Sequence, residues 1–409
     1  MTTLATIPAY GEPMTEPTFL SAPIAEIYRW IKERDGAGFE PFDLMNSPNF
    51  RGNWPKHFPF NVLIRHAGRR FVGLKTRQFL KVPASTNPKA VGLFLSGCCE
   101  LGRIEDGWRA EAENWKAKLV QLRSKGEESF CWGYDWDAVS IRANVMPKFS
   151  PNAIATTFCA DALLDMGLVF NDAEALDMAR SAGEFIVRRL NRPVENETEL
   201  CFSYTPTDRT QIYNSSVVAA ALLSRLAQLD DRQDYFDLAR RAMQYLVNAQ
   251  QPDGSWAYGA TRWQRWIDSF HTGYNLDALL CYRENSGDHT FDGAIDKGYR
   301  YFKQTFLLPD GAPKYFNTKT YPIDIHACSQ AILTLSRFSE QDADALPLAL
   351  LTARWTLQNM RDPEGYFYYQ KHRTWTNRTP YMRWGQGWMF RALSRLQVAV
   401  AHSAGTSAV

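Results

Sequence analysis

The sequence predicts an all-α fold, an (α/α)6 toroid, with short β-hairpins on one rim. Apolar residues at helical spacing recur in helices rich in small residues, which begin near positions 151, 212, 271, 323 and 382. These starting points are about 60 residues apart, enough for two helices and a loop. More polar amphipathic helices lie between them.

The two helix classes indicate two concentric rings. Helices such as "IYNSSVVAAALLSRLAQL" suit an inner ring packed on several sides, and helices such as "YFDLARRAMQYLVNAQ" suit an outer ring with one polar face. A further pair is expected at 89–101 and 105–122, with 61–80 as the sixth outer helix and 24–33 as another helical piece. Six hairpins favour a closed ring over an open solenoid. We expect an N-terminal extension at 1–60 that packs on the toroid, the toroid at 61–400 and a disordered tail at 401–409.

Composition limits the range of functions. The chain of 409 residues has a net charge of only +2 and no block of like charge, which argues against nucleic-acid partners and a polybasic membrane anchor. The first twenty residues do not resemble a signal peptide, and no uninterrupted apolar stretch approaches a membrane span. Seven cysteines, an odd number, favour buried thiols in a cytoplasmic protein. Cys98 and Cys99 lack metal-ligand spacing, so we expect core thiols, no metal and no cofactor.

Aromatic segments precede the inner helices, for example "CWGYDWDA", "CFSYTPTD" and "SWAYGATR". Because inner-helix N-termini meet on this rim, their free N–H groups favour polar ligands, including anionic ones. Aromatic rings bind the apolar face of sugars. About half of these rings are expected only to pack the loops. The predicted substrate-binding residues are Trp132, Trp136, Tyr204, Asn214, Trp256, Trp266, His326, Arg383 and Trp384.

Polar residues recur at the same rim in successive repeats, although an Asp or Asn before a helix is also a common N-cap. Two kinds of chemistry fit them. Two carboxylates could act as general acid and base across a glycosidic bond, or a histidine and a tyrosine could abstract and return protons, as in a lyase or epimerase, while Asn214 and Arg383 neutralise a uronic-acid carboxylate. The predicted catalytic residues are Asp268, His271, Tyr274, Asp324 and Asp135.

Some motifs point to other toroids. "QQPDGSW" has the Gln-x3-Gly-x-Trp form of triterpene cyclases, and "FHTGY" is similar to a helix start in protein prenyltransferases. However, no Asp-x-Asp-Asp acid motif is present, and the single Asp-Asp-x-x-Asp, 230–234, falls on the opposite rim. Terpenoid or prenyl chemistry therefore stays a second alternative, behind a non-catalytic glycan-binding scaffold.

Taken together, "CWGYDWD", "QPDGSWAYG", "WIDSFHTGYNLDAL" and "YPIDIHACSQAI" resemble a family of bacterial proteins encoded in exopolysaccharide clusters and often mislabelled as delta-aminolevulinic acid dehydratases. The resemblance covers roughly residues 130–335. More remotely, "YMRWGQGWMFRAL" is similar to a segment of unsaturated glucuronyl hydrolases, although the order of Arg383 and Trp384 departs from that pattern. The resemblance implies a polysaccharide context and names no reaction. Together with the rim residues, it leads us to expect an enzyme that acts on an oligo- or polysaccharide in exopolysaccharide biosynthesis or turnover, a glycoside hydrolase or a lyase or epimerase of uronic-acid glycans. Neither the sugar nor the oligomeric state follows from it.

Overall fold

The computed structural model describes residues 18–50, 60, 63–64, 72–139 and 145–405. Six inner helices form a closed ring in which each packs on the next and the last packs on the first. The inner helices are α3 (Pro88–Leu101), α5 (Ala153–Phe170), α7 (Tyr213–Asp230), α9 (Ser269–Ser286), α11 (Ile325–Arg337) and α13 (Trp388–Ser403). The outer helices are α1 (Thr18–Lys32), α4 (Trp108–Gln121), α6 (Ala173–Arg189), α8 (Gln233–Asn248), α10 (Asp292–Phe306) and α12 (Ala345–Asn359). The predicted toroid is confirmed.

The sixth outer position of the ring is occupied by α1. The prediction that 61–80 would supply this helix falls largely on 61–62 and 65–71, which lie outside the described residues, and the short helix α2 (Leu74–Phe79) follows them. Helix α1 packs on α13 through an apolar stripe at helical spacing, formed by Leu20, Ile24, Ile27 and Ile31. Part of the expected N-terminal extension therefore belongs to the ring, while the other domain boundaries stay predictions.

Helix α5 shows how the inner ring is packed. Its 18 residues and mean hydropathy of 1.6 are enough, by length and composition, to cross a membrane, and no other helix in the described chain meets this test. In the protein, however, 72% of this helix is buried. Its position between α3 and α7 accounts for this apolar composition. At Gly92 of α3, a Cβ would lie 3.1 Å from the Phe158 carbonyl oxygen, so glycine permits the close approach of the two helices. Cys98 and Cys99 are buried free thiols in this core, as expected.

Neighbouring repeats are connected by backbone hydrogen bonds at the rim where the inner helices begin. The first N–H of an inner helix has no partner within its own helix. Here it donates to the carbonyl oxygen of a tyrosine in the next rim loop, from Ala153 to Tyr204 at 2.9 Å and from Ser269 to Tyr315 at 2.9 Å. Tyr213 to Tyr258 and Ile325 to Tyr369 repeat the pattern. At the last repeat, Met382 donates to Phe39, so the N-terminal segment closes the series.

The rim loops contain less strand than predicted. The regular strands in the described chain are two residues long and antiparallel. They form three two-stranded sheets, β1–β2, β3–β4 and β5–β6, and one three-stranded sheet, β7–β8–β9, whereas the loops at 255 and 313 make only isolated bridges. The strands are β1 (Ala37–Gly38), β2 (Ser85–Thr86), β3 (Ala138–Val139), β4 (Val145–Met146), β5 (Val194–Glu195), β6 (Leu200–Cys201), β7 (Ile323–Asp324), β8 (Gln370–Lys371) and β9 (Thr376–Asn377). The loops are therefore mostly extended segments held by the hydrogen bonds between repeats.

Candidate active site

Asp268 and His271 form a hydrogen-bonded pair at the start of α9. Asp268 caps the helix because its Oδ1 accepts the His271 backbone N–H at 2.9 Å. Its Oδ2 lies 2.7 Å from His271 Nδ1 and also accepts the Trp266 indole N–H at 3.0 Å. The aspartate is buried, whereas 19% of the histidine side chain is exposed. A carboxylate acceptor places the proton on Nδ1, which leaves Nε2 as the basic nitrogen; no hydrogen bond joins Nε2 to any described residue.

Tyr274 and His326 form a second, fully buried pair beside the first. Tyr274 Oη lies 2.7 Å from His326 Nε2, and the His326 ring is stacked between Phe270 and Trp388 at centroid distances of 4.5 and 4.8 Å. Burial, reinforced by the positive charge of Lys89, holds the pKa of His326 well below its usual range. Burial also raises the pKa of Tyr274. The imidazole is therefore neutral and the tyrosine keeps its proton, so the hydroxyl donates to Nε2.

Lys89 places an amine among three aromatic rings. Its Nζ lies 3.9 Å from the Phe158 ring centroid, 5.0 Å from that of Trp388 and 5.6 Å from that of Tyr274. No hydrogen bond or ion pair within the described residues reaches this nitrogen, and only 3% of the residue is exposed. Burial lowers the pKa of Lys89 well below its usual range, and the nearby Arg383 lowers it further. An unpaired buried amine is rare unless it has a function.

Arg383 is placed in the site, and its guanidinium is already in contact with Glu40. Its Nη2 lies 3.0 Å from Glu40 Oε2, and both side chains are almost completely buried. Burial raises the pKa of Glu40 to about 8 against the opposing effect of the guanidinium. The arginine also faces the rings of Tyr134 and Trp136, at 5.4 and 5.1 Å. A uronic-acid carboxylate would have to compete with Glu40 for this arginine, which weakens the predicted role of Arg383 in binding an anion.

Two of the predicted catalytic carboxylates are held by hydrogen bonds. Asp324 is 0% exposed, and it accepts hydrogen bonds from the His326 backbone N–H, the Trp384 indole at 2.8 Å and the Gln370 amide at 2.6 Å. It therefore caps α11 and positions Trp384, and the prediction that it acts as a glycosidic acid or base is corrected. Asp135, 4% exposed, accepts from the side chains of Ser85 and Asn87.

The predicted aromatic residues separate into structural and rim-facing groups. Trp132 and Trp256 are buried at 0% and 2% exposure, and each indole N–H donates to a carbonyl oxygen of the preceding outer helix, Leu119 and Leu246 respectively. They anchor the loops, so their predicted contact with substrate is corrected.

Other predicted binding residues lie toward the mouth of the ring. Trp266 stacks on Tyr258 at 4.5 Å, and Trp136 stacks on Tyr134 at 4.6 Å. The hydroxyl of Tyr204 lies 2.9 Å from that of Tyr134. Asn214 is 3% exposed, and within the described chain its Oδ1 has no hydrogen-bond partner. That oxygen can accept a hydrogen bond from a ligand hydroxyl.

The sequence analysis did not identify Lys89 and Glu40. A signal for Lys89 was nevertheless present, because Lys89, Asn214 and His326 are each the second residue of an inner helix. The repeat thus brings three polar side chains to equivalent places around the axis. No such signal exists for Glu40, which lies in the irregular segment that closes the ring.

The fold is shared with several carbohydrate-processing enzymes. A cellobiose 2-epimerase from Bacillus thermoamylovorans matches 94% of this chain and 99% of its own with a TM-score of 0.64 and 12% identity. A GH76 alpha-mannanase from Bacteroides thetaiotaomicron covers 94% of this chain and 100% of its own, with a TM-score of 0.59 and 12% identity. An unsaturated glucuronyl hydrolase specific for heparin covers 78% of this chain and 86% of its own, with a TM-score of 0.56 and 12% identity.

The chain has the six-hairpin glycosidase fold. The remote resemblance to glucuronyl hydrolases is thereby confirmed at the level of fold. No protein-family model matches the sequence, and no curated protein matches it. The relation to exopolysaccharide clusters and the cytoplasmic location stay predictions.

Proposed function

We propose that this protein is a carbohydrate epimerase that removes and returns a proton at a sugar carbon next to a carbonyl group. The observation that carries the proposal is the Asp268–His271 pair, in which a buried carboxylate orients a partly exposed imidazole. Solved structures with this fold include enzymes named as a cellobiose 2-epimerase and a sugar epimerase, which supports this class of substrate.

The groups around His271 fit each part of the reaction. His271 Nε2 takes the proton from carbon, and the electron pair moves to the carbonyl oxygen to give an enediolate. Lys89 supplies N–H donors to this oxygen, where low dielectric strengthens the interaction. The protonated Tyr274, hydrogen-bonded to His326, is a second proton carrier that returns a proton to the other face of the carbon as the carbonyl re-forms. The proton held by His271, whose ring centroid lies 5.9 Å from that of Tyr274, then restores the tyrosine hydroxyl.

Two observations favour epimerisation over the other chemistries. Hydrolysis needs two carboxyl groups placed across the glycosidic bond, whereas Asp268 and Asp324 are both buried and engaged by hydrogen bonds. Elimination from a uronic acid needs a group that binds its carboxylate, and Arg383 Nη2 is already in contact with Glu40 at 3.0 Å. A neutral reducing sugar therefore fits the site best.

The test is proton exchange in deuterium oxide. Reducing mono- and disaccharides are incubated with the protein and followed by NMR for deuterium at the carbon next to the carbonyl and for the epimer. We expect both, with exchange at least as fast as epimer formation. New reducing ends would instead indicate a hydrolase, ultraviolet-absorbing unsaturated ends a lyase, and an unchanged panel a binding protein; each of these results contradicts the proposal.

A matched pair of histidine variants tests the assignment of the base. His289 Nδ1 lies 2.8 Å from Asp292 Oδ2 with the same three-residue spacing as the His271 pair, but its side chain is 71% exposed and precedes an outer helix. His271→Asn should reduce exchange at least about 1,000-fold, in the range of lost general-base catalysis, while His289→Asn should retain it. Equal effects of the two changes would contradict a role for His271 as base.

A further inference from the structure

A second cavity lies on the axis of the ring, on the far side of the candidate active site. It has a volume of about 290 Å³ and is lined by residues from all six inner helices, from the middle of α5, α7 and α9, from the C-terminal parts of α3 and α11 and from the first two turns of α13. The rings of Phe158, Tyr274 and Trp388 separate it from Lys89, and on the cavity side Arg391 lies 5.7 Å from the Phe158 centroid. The cavity is thus distinct from the site around His271.

The walls of the cavity are charged but balanced. Five arginines and five carboxylate side chains line it. They neutralise one another, as in Arg225, whose guanidinium contacts Asp161 and donates to Asp165 at 2.7 Å. Arg391 lies 3.6 Å from the other oxygen of Asp161. Inner-helix C-termini also disfavour anions at this end of the ring. An uncharged ligand therefore suits these walls better than an ion.

Five buried polar side-chain atoms of the lining residues lack hydrogen-bond partners within the described chain, the Nε atoms of Arg103 and Arg337, the indole nitrogen of Trp388 and the oxygens of two buried residues. Thr157 Oγ1 and Gln330 Oε1 have no hydrogen bond within the described chain, and the residues are 5% and 1% exposed. The Gln330 amide nitrogen donates to Asp277 at 2.7 Å and to Thr334 at 3.0 Å, which fixes the orientation of its oxygen. Buried polar atoms without partners are unfavourable. Hydroxyl groups of a ligand would satisfy both oxygens.

We infer that this axial cavity is a second, non-catalytic binding site for one uncharged polyhydroxylated ligand of monosaccharide size. The aromatic floor suits the C–H face of a sugar or cyclic polyol, and the charged walls offer donors and acceptors for its hydroxyl groups. The volume is close to the lower limit of about 300 Å³ for small-molecule sites, which allows one ring. This inference does not depend on the reaction at His271.

Binding is tested by calorimetry and saturation-transfer NMR on the full chain with glucose, mannose, N-acetylglucosamine and myo-inositol. Glucuronate serves as the anionic control. We expect at least one neutral compound to bind to the wild type and equally to His271→Ala, and Ala221→Leu, which fills the cavity, to abolish binding. If no neutral compound binds, the cavity holds only water and the inference fails. Tighter binding of glucuronate, or loss of binding in His271→Ala alone, would also overturn it.

Adjacent threonines provide a matched control that separates binding from folding. Thr157→Val removes a hydroxyl without a partner, so the melting temperature should stay the same or rise while affinity falls roughly 5- to 10-fold. Thr156 Oγ1 instead exchanges hydrogen bonds with the Trp132 backbone, at 3.0 and 3.2 Å. Thr156→Val should therefore lower the melting temperature and keep the affinity. Unchanged affinity in Thr157→Val would contradict the inference.

Discussion

Replacing Lys89 with methionine should stabilise the protein while it removes activity. The amine is buried among three rings without a polar partner in the described chain, and burial lowers its pKa well below the usual range. The folded state therefore binds fewer protons than the unfolded state, so the stability of the wild type rises with pH up to the ordinary amine pKa of about 10.4. Methionine has a similar length and no charge to neutralise.

The stabilisation expected from Lys89→Met has an upper limit, which is set by the ordinary pKa of the lysine in the unfolded chain. Keeping a lysine fully neutral at pH 7 costs roughly 4 to 5 kcal/mol, since each pKa unit is about 1.4 kcal/mol. Cation–π contacts of about 0.5–2 kcal/mol each reduce this cost to the extent that the amine stays charged. We expect Lys89→Met to raise the free energy of unfolding by about 2–4 kcal/mol at pH 7.

Urea unfolding at pH 7, 8, 9 and 10 measures this difference. It should shrink as the pH rises, because the unfolded wild type gradually loses the same proton. Lys116 gives a control of opposite sign, since burial is outweighed by hydrogen bonds to Asp172 and Glu174 that raise the pKa of its amine. Lys116→Met should destabilise the protein at pH 7. A Lys89→Met variant less stable than wild type at pH 7, or a difference independent of pH, would refute the argument.

Three further changes test other parts of the structure. Asp268→Asn should lower kcat about 10³- to 10⁴-fold with little change in KM, because an amide has one acceptor oxygen and cannot accept both the His271 backbone N–H and the ring N–H of His271. Steady-state kinetics on the sugar found by exchange measure this. Because burial raises the pKa of Glu40 to about 8, its folded state keeps a proton that the unfolded state releases, so wild-type stability falls between about pH 4.5 and 8. Urea unfolding across that range should show this slope, and Glu40→Gln should lack it. Trp256→Phe should cost about 1–3 kcal/mol in thermal unfolding, since the Leu246 carbonyl loses one of its two donors and the smaller ring leaves a cavity, and leave activity unchanged.

The helical repeat was predictable because its signal is local. Each inner helix carries its own apolar spacing, and the predicted starts differ from the observed ones by one or two residues for α5, α7, α9 and α11. The pairing of α1 with α13, which closes the ring, could not be predicted in this way, because the two helices are far apart in sequence. The stripe of Leu20, Ile24, Ile27 and Ile31 indicates a helix with one apolar face, but no spacing indicates which helix covers it.

The candidate site was predictable only in part, for a similar reason. The repeat brought His271, Tyr274 and His326 to one place, because the first two lie in the first turns of α9 and the third lies in the first turn of the next inner helix, α11. The repeat could not show whether a rim tryptophan faces a ligand or packs under its loop. Trp256 packs under its loop, whereas Trp266, ten residues later, lies toward the mouth of the ring. Lys89 was missed because a lysine in the first turn of a helix is ordinarily exposed.

The contact between α1 and α13 also constrains the order of folding. About 350 residues separate these helices, and at about 5–20 residues per second of synthesis the apolar stripe of α1 waits roughly 20–70 s for its partner. During that interval the five complete hairpins can stack on one another. The apolar surfaces that α13 will cover stay exposed, so they can bind to other unfolded chains and cause aggregation. We expect a truncated chain that lacks α13 to be aggregation-prone. Adding α13 as a separate peptide should cover the apolar stripe of α1 and reduce this aggregation.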